Sequence, residues 1–296
     1  MKFEFTEIFN FRGAIRGMRN PKESWAKSDS IFGYYTIDDY QDDLVPRCLS
    51  YWEKAFPFND ENEENKKRNP LIDLRQDISN EDFYRQIIEN FFLDNGFLSY
   101  GETSDIVDVA LIGPNDMDLI KRLIKGGSEH RKFLRQIIVS VDITAPRYFW
   151  TEFDTYKIGT VANSTSTMHK LASSPITIDD FEIDDISSVM GWPDDEYITE
   201  FISYLENLRL KYVETKDKRY WKELIRWLPE SWLQKRTVTM TYENLLAMCS
   251  KGQRRFHKLN EWSGQDNPNV PNFISWARTL PYAQELIFID ETLDTN

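Results

Sequence analysis

Cysteine is almost absent from this chain: Cys48 and Cys249 are the two in 296 residues, and neither sits in a CxxC step. That excludes a disulfide scaffold and a thiolate metal site, and makes a reducing compartment, the cytoplasm, the expected location. Cationic side chains are in deficit, 36 lysines and arginines against 49 carboxylates, for a formal charge of −13. Neutralising a polynucleotide backbone needs clustered cations that dominate their surface, so the balance argues against nucleic acid as a partner. Long apolar runs are missing as well, with no window near the roughly 18 apolar residues of a membrane span. The opening MKFEFTEIFNFRGAIRG is charged and interrupted where a signal peptide would be continuously apolar. Neither export nor membrane insertion is expected. No GxSxG, Walker, GxGxxG or HExxH pattern occurs, and neither cysteine has a histidine close in sequence. No catalytic nucleophile and no metal centre is therefore assigned.

What the chain does contain is apolar and aromatic material, 41% and 14%, enough for a sizeable core in one large domain or two ordinary ones. Period-2 alternation predicts strands over Met1 to Phe11, Ile137 to Thr144 and Arg236 to Tyr242, and a short apolar run predicts another over Val107 to Ile112. Helical spacing predicts helices over Gln41–Phe56, Asn80–Asp94, Asn115–Lys125, Arg147–Lys157, Glu196–Glu214, Arg219–Trp227, Glu243–Trp262 and a stretch of Asn272–Ile289. In the fourth of these, Pro146 is expected as the first helical residue, with Phe149, Phe153 and Tyr156 on the buried face. The fold class is α+β, a mixed sheet flanked by helices. Asn59 to Asn69 has no apolar residue and reads as an exposed loop or a short disordered insert. The acidic run Asp179 to Asp185 lacks the glycine and spacing of a calcium loop and reads as a solvated face.

Polar chemistry concentrates in three places. The early loop Arg16 to Ser30, containing Arg19, Asn20, Pro21 and Ser24, is either a solvated connection or a phosphate-contacting loop. The stretch Gly126 to Lys170 holds two of the three histidines together with Ser128, Glu129, Arg147, Lys157 and the run Asn163, Ser164, Thr165, Ser166 and Thr167. The late basic patch Arg254, Arg255, His257, Lys258 is either a helix C-terminus supplied with cations or an anion site.

The central stretch resembles the flavin-dependent thymidylate synthase family (ThyX). A Glu-His step (Glu129, His130), a strand, an arginine opening a helix (Arg147) and a late segment with Leu228, Pro229, Glu230, Thr237 and Thr239 follow in the family's order. The family's Arg-His-Arg triplet falls here on Thr155, Tyr156 and Lys157, its glutamine on Glu152 and its serine on Thr165. Lysine in place of arginine keeps charge but loses the planar fork that grips a phosphate at two points. The patterns KxGTVANSxSTMHK and RRxHKLxEW are similar to those of bacteriophage-type members. The resemblance implies a single ThyX-like domain over residues 1–296 with residues 171–227 as a helical insertion. It implies FAD near Glu129, His130, Lys157, Asn163 and Thr165, and a nucleotide such as dUMP near Arg147, Glu152, Ser166, Arg254 and Arg255. It further implies NADPH and methylene-tetrahydrofolate as co-substrates, a homotetramer, and methylation of dUMP to dTMP in which the flavin carries the hard chemistry. The changed triplet leaves two readings open, an active enzyme or a nucleotide-binding or sequestering protein without flavin activity.

Overall fold

The computed structural model describes residues 1–36, 97–100, 106–183, 194–251 and 254–293. The helices expected over 41–56 and 80–94, the polar run 59–69 and the carboxylates Asp184 and Asp185 lie outside the described residues. The strands are β1 (Lys2–Phe9), β2 (Ile31–Thr36), β3 (Phe97–Tyr100), β4 (Ile106–Leu111), β5 (Ile138–Pro146), β6 (Val161–Ser164) and β7 (Leu233–Thr241). The longer helices are α1 (Phe11–Met18), α2 (Pro114–Lys125), α3 (Arg147–Phe153), α4 (Asp194–Thr215), α5 (Lys218–Trp227) and α6 (Tyr242–Met248). Helix and sheet are both present, as the α+β reading expects. The mixed sheet is corrected: every described strand pairing is antiparallel, because successive neighbours enter each sheet from opposite ends.

The chain forms two compact units, Met1–Phe9 with Ile138–Thr279, and Asn10–Ile137 with Leu280–Asn296. The first carries a sheet in the order β1-β5-β7-β6. Along β5, Val139, Val141, Ile143 and Ala145 are buried while Ser140, Asp142 and Thr144 alternate to the other face. Val141 pairs with Val238 and Val139 with Met240, so two apolar rows coincide across the ladder. That match fixes the register, because a one-residue slip would turn both rows outward. Against the buried face packs an aromatic cluster in which the Phe149 ring meets Trp150, Phe153, Trp262 and Phe273 at centroid distances of 5.3 to 6.4 Å.

Several boundaries move. Pro146 is the last strand residue and the N-cap of α3 rather than its first turn, and after Phe153 the helix tightens into a 3-10 turn, Asp154–Tyr156. The helix expected over 243–262 ends at Met248, and a second short one spans Asn260–Ser263. Between them Arg254 to Lys258 carries one large hydrophobe, Phe256, which is exposed, so no apolar face holds these residues in a helix. The basic patch is therefore a turn, not a helix C-terminus. β6, which takes in the start of the hydroxyl and amide run, is an edge strand paired to β7.

Helices α4 and α5 match their expected spans within a few residues and share a core of their own, with Leu205, Leu208 and Leu224 against Leu171, Ile176, Phe181 and Leu228. Trp227 ends α5 because Leu228 precedes a proline and turns extended. Leu205 is fully buried; Leu205→Ala is expected to cost about 2–5 kcal/mol in urea unfolding, the range for a leucine truncated in a core that collapses only partly.

In the second unit β2, β4 and β3 form a three-stranded sheet in that order, and α2 follows β4 directly. The sequence places the start of α2 at Asn115. Instead Gly113 occupies the N-cap, Pro114 follows it, and the Asp29 carboxylate accepts from the Asn115 and Asp116 N–H groups at 2.9 and 3.2 Å. The C-terminal stretch docks through Tyr282, whose hydroxyl accepts from the Ile112 N–H at 2.8 Å and donates to the Ala110 carbonyl at 3.3 Å.

Candidate functional site

Within the second unit, the polar loop after α1 is organised by one buried carboxylate. Asp116 has no exposed surface and accepts from Arg19 Nε at 2.5 Å and from the Ser28 and Ser30 hydroxyls at 2.6 Å each. Arg19, itself buried, also donates to the Ser24 carbonyl at 3.3 Å. Arg19, Ser28 and Ser30 are thus turned inward as struts, which corrects both readings of this loop: it is neither wholly solvated nor wholly free to meet a phosphate. The residues that remain outward, Asn20, Pro21 and Lys22, form one wall of a pocket of about 670 Å³. That volume suits a small-molecule ligand.

The lining also includes Arg122 from α2, Glu129 and His130 of the turn that follows it, and Gln136. Met18, Leu119, Leu123 and Phe133 supply apolar lining. The His130 ring lies against Gly126, where an added Cβ would come within 3.0 Å of it. Two cations at the pocket have partners, Arg122 with Asp118 at 2.8 Å and Lys132 with Glu129 at 3.2 Å. All four of these side chains are well exposed, and exposed pairs hold by less than about 1 kcal/mol, so either cation can turn to a bound anion. Among the described residues the Lys22 ammonium has no partner. Two segments far apart in the sequence, each singled out there, therefore share one cation-bearing pocket.

The remaining candidates belong to the first unit. Arg147 donates to the Leu228 carbonyl at 3.3 Å and faces Glu230 at 3.4 Å, and it is half-exposed. This joins the helix-opening arginine to the late Leu-Pro-Glu segment. Glu152 faces His257 Nε2 at 3.6 Å, while His257 Nδ1 accepts the Leu259 N–H at 3.1 Å. Arg254 lies over the Tyr156 ring at 5.3 Å and donates to the Ala247 carbonyl at 2.9 Å. Arg255 is buried and donates to the Cys249 carbonyl at 3.0 Å. Tyr156 also packs on Trp262 at 5.4 Å, and burial pushes its phenol above the ordinary value. Lys157 and Asn163 are exposed, Ser166 caps the short helix Thr167–Lys170 by accepting the His169 N–H at 3.2 Å, and Thr165 spends both its N–H and its hydroxyl on the Lys235 carbonyl.

Sequence reasoning missed three groups here. Arg236 lies over the Trp150 ring at 4.3 Å and pairs with Asp154 at 2.9 Å. Lys235 joins Asp142 at 2.9 Å and Glu4 at 3.4 Å on the outward face of the sheet. The Thr237 hydroxyl and Lys235 hold the Asp142 carboxyl below its ordinary range. Tyr148 donates to Glu261. The alternation of β7 was the signal available, since it puts Lys235 and Thr237 on one face, but it does not name their partners. Asp180, from the acidic run, is consumed in a capping box with Thr177. Among the described residues no cluster of three or more metal-ligating side chains occurs, and no helix is long and apolar enough to cross a membrane.

No family model matches the chain, and no curated protein matches it. Among solved structures it is similar to the flavin-dependent thymidylate synthase ThyX from Helicobacter pylori complexed with FAD and dUMP, at 15% identity over 88% of this chain and 98% of that one, with a TM-score of 0.42. A second structure of ThyX from the same organism with FAD and dUMP is similar at 14% identity over 89% and 98% of the two chains, with a TM-score of 0.38. A likeness of this strength says nothing by itself about what the present chain binds.

Proposed function

We propose that this chain is a nucleotide-binding protein, and that the pocket between Asn20–Lys22 and Glu129–His130 takes the ligand. The observation that carries this reading is the convergence of those two segments on one pocket that holds a lysine unpaired among the described residues, two weakly paired cations, a histidine and an apolar lining. Such a mixture suits a molecule that is anionic at one end and flat and partly apolar at the other.

The residues at the family triplet do not fit FAD in the way the resemblance implies. Tyr156, in the histidine position, is engaged by Trp262 and Arg254; Glu152, in the glutamine position, faces His257; Thr165, in the serine position, has no hydrogen-bond donor left over. A cradle for a flavin pyrophosphate needs open donors, and these side chains are committed to their own neighbours. Binding without flavin chemistry is therefore the first reading. FAD-dependent methylation of dUMP, with methylene-tetrahydrofolate and NADPH, is the second. It is favoured by the exposed polar groups of Lys157 and Asn163, by the half-exposed Arg147 guanidinium and by the Glu129–His130 step. The homotetramer of the resemblance goes with that second reading.

Calorimetric titration with dUMP and with FAD separates them. The first reading expects saturable dUMP binding, no flavin retained on gel filtration, and a loss of roughly tenfold in dUMP affinity for Lys22→Ala, the size of one charge-assisted hydrogen bond. Retained FAD with dUMP-dependent flavin oxidation would establish the second, and no nucleotide binding would remove both.

A further inference from the structure

We infer that Gln136 is the specificity-determining residue of the pocket and reads the hydrogen-bonding edge of a nucleobase, while Lys22 holds the phosphate; this rests on the nucleotide reading above. Gln136 ends the 3-10 helix Lys132–Gln136, and its backbone carbonyl accepts from the Asn10 side chain at 3.0 Å, which fixes where the side chain starts. The side chain is exposed into the pocket, and among the described residues its amide has no partner.

Gly17 of α1 makes the placement. A Cβ built there would lie 2.7 Å from Gln136 Oε1, whereas the missing side chain lets the amide rest against the helix. An amide placed this way offers one donor and one acceptor side by side, the complement of the adjacent donor and acceptor on a base edge. Phosphate alone has no use for that pair, and an isolated cation such as Lys22 carries no information about a base. The other amide of the pocket is partly spent, since Asn20 Oδ1 accepts from Trp25 Nε1 at 2.9 Å.

The test uses the full chain and two probes, dUMP and 2-deoxyribose 5-phosphate, titrated against the parent, Gln136→Leu, Gly17→Ala and Lys22→Ala by NMR. Gln136→Leu keeps the backbone carbonyl that Asn10 holds, and Gly17 lies in the last turn of α1 without a positive φ, so alanine suits its backbone and both variants are expected to fold. Both should weaken dUMP roughly tenfold, the loss of two neutral hydrogen bonds, and leave the sugar phosphate unchanged, while Lys22→Ala weakens both probes. If the parent binds dUMP and the Gln136 and Gly17 variants bind it equally well, Gln136 does not read the base and the nucleotide reading survives. If those variants weaken both probes alike, the division of labour is wrong. If neither probe binds the parent, the nucleotide reading fails and this inference with it.

Discussion

Asp116→Ala is expected to destabilise the protein by about 3–5 kcal/mol in chemical denaturation, because it leaves the buried Arg19 guanidinium without its countercharge. The Asp116 carboxylate has no exposed surface and gathers Arg19, Ser28 and Ser30, so its loss strands the buried guanidinium and takes the acceptor from two part-buried hydroxyls. Removing one partner of such a set costs far more than replacing the whole set with apolar groups would. The same carboxylate holds the segment that carries Asn20 and Lys22. Asp116→Asn, equal in shape but uncharged, is therefore expected to fold with a smaller loss and still weaken dUMP. A variant that kept full stability would show that Arg19 finds another partner, and the strut account of the loop would be wrong.

Trp262→Ala is the second large effect, expected at about 3–5 kcal/mol from the cavity left by an aromatic residue in a packed core. Trp262 is fully buried and its ring touches Phe149, Tyr156, His257 and Phe273, so the void would open where the aromatic cluster meets the turn of the basic patch. Its indole N–H is buried and has no hydrogen-bond partner among the described residues. An unpaired buried donor opposes folding, so Trp262→Phe, which removes the donor and keeps most of the ring, is expected to cost less than half as much as the alanine variant in the same denaturation series. Equal losses for the two would mean that the indole N–H does have a partner.

Where local pattern decides structure, the sequence was legible. The alternation of β5 and β7 appears because one face of each strand is buried, and the spans of α4 and α5 appear because leucines at helical spacing meet a shared core. The errors occur where a neighbour decides. Pro146 has the φ of a helix start, but its position at the end of the β5–β7 ladder keeps it extended. Tyr242 ends an alternating run yet opens α6, because Thr241 and Asn244 form a capping box. β6 carries four exposed residues, so no burial pattern marks it, and only its pairing to β7 reveals a strand.

The candidate site divides in the same way. Sequence located the two segments that share the pocket, because isolated polar and cationic residues near turn signals are a local property. It did not find Gln136, whose relevance depends on Gly17 in another helix, nor the inward turn of Arg19, which depends on Asp116 far along the chain. Arg254 and Arg255 looked like an anion site because their charges are adjacent in sequence. In the fold one lies on a tyrosine ring and the other is buried on a backbone carbonyl.

Hydrogen exchange measured with and without saturating dUMP tests the central claim most directly, because it reports where the ligand sits as well as whether it binds. The nucleotide reading predicts slowed exchange in 17–24 and 128–136, with 147–170 unchanged. Protection confined to 147–170, or no protection anywhere at a dUMP concentration that saturates the parent protein, would contradict it.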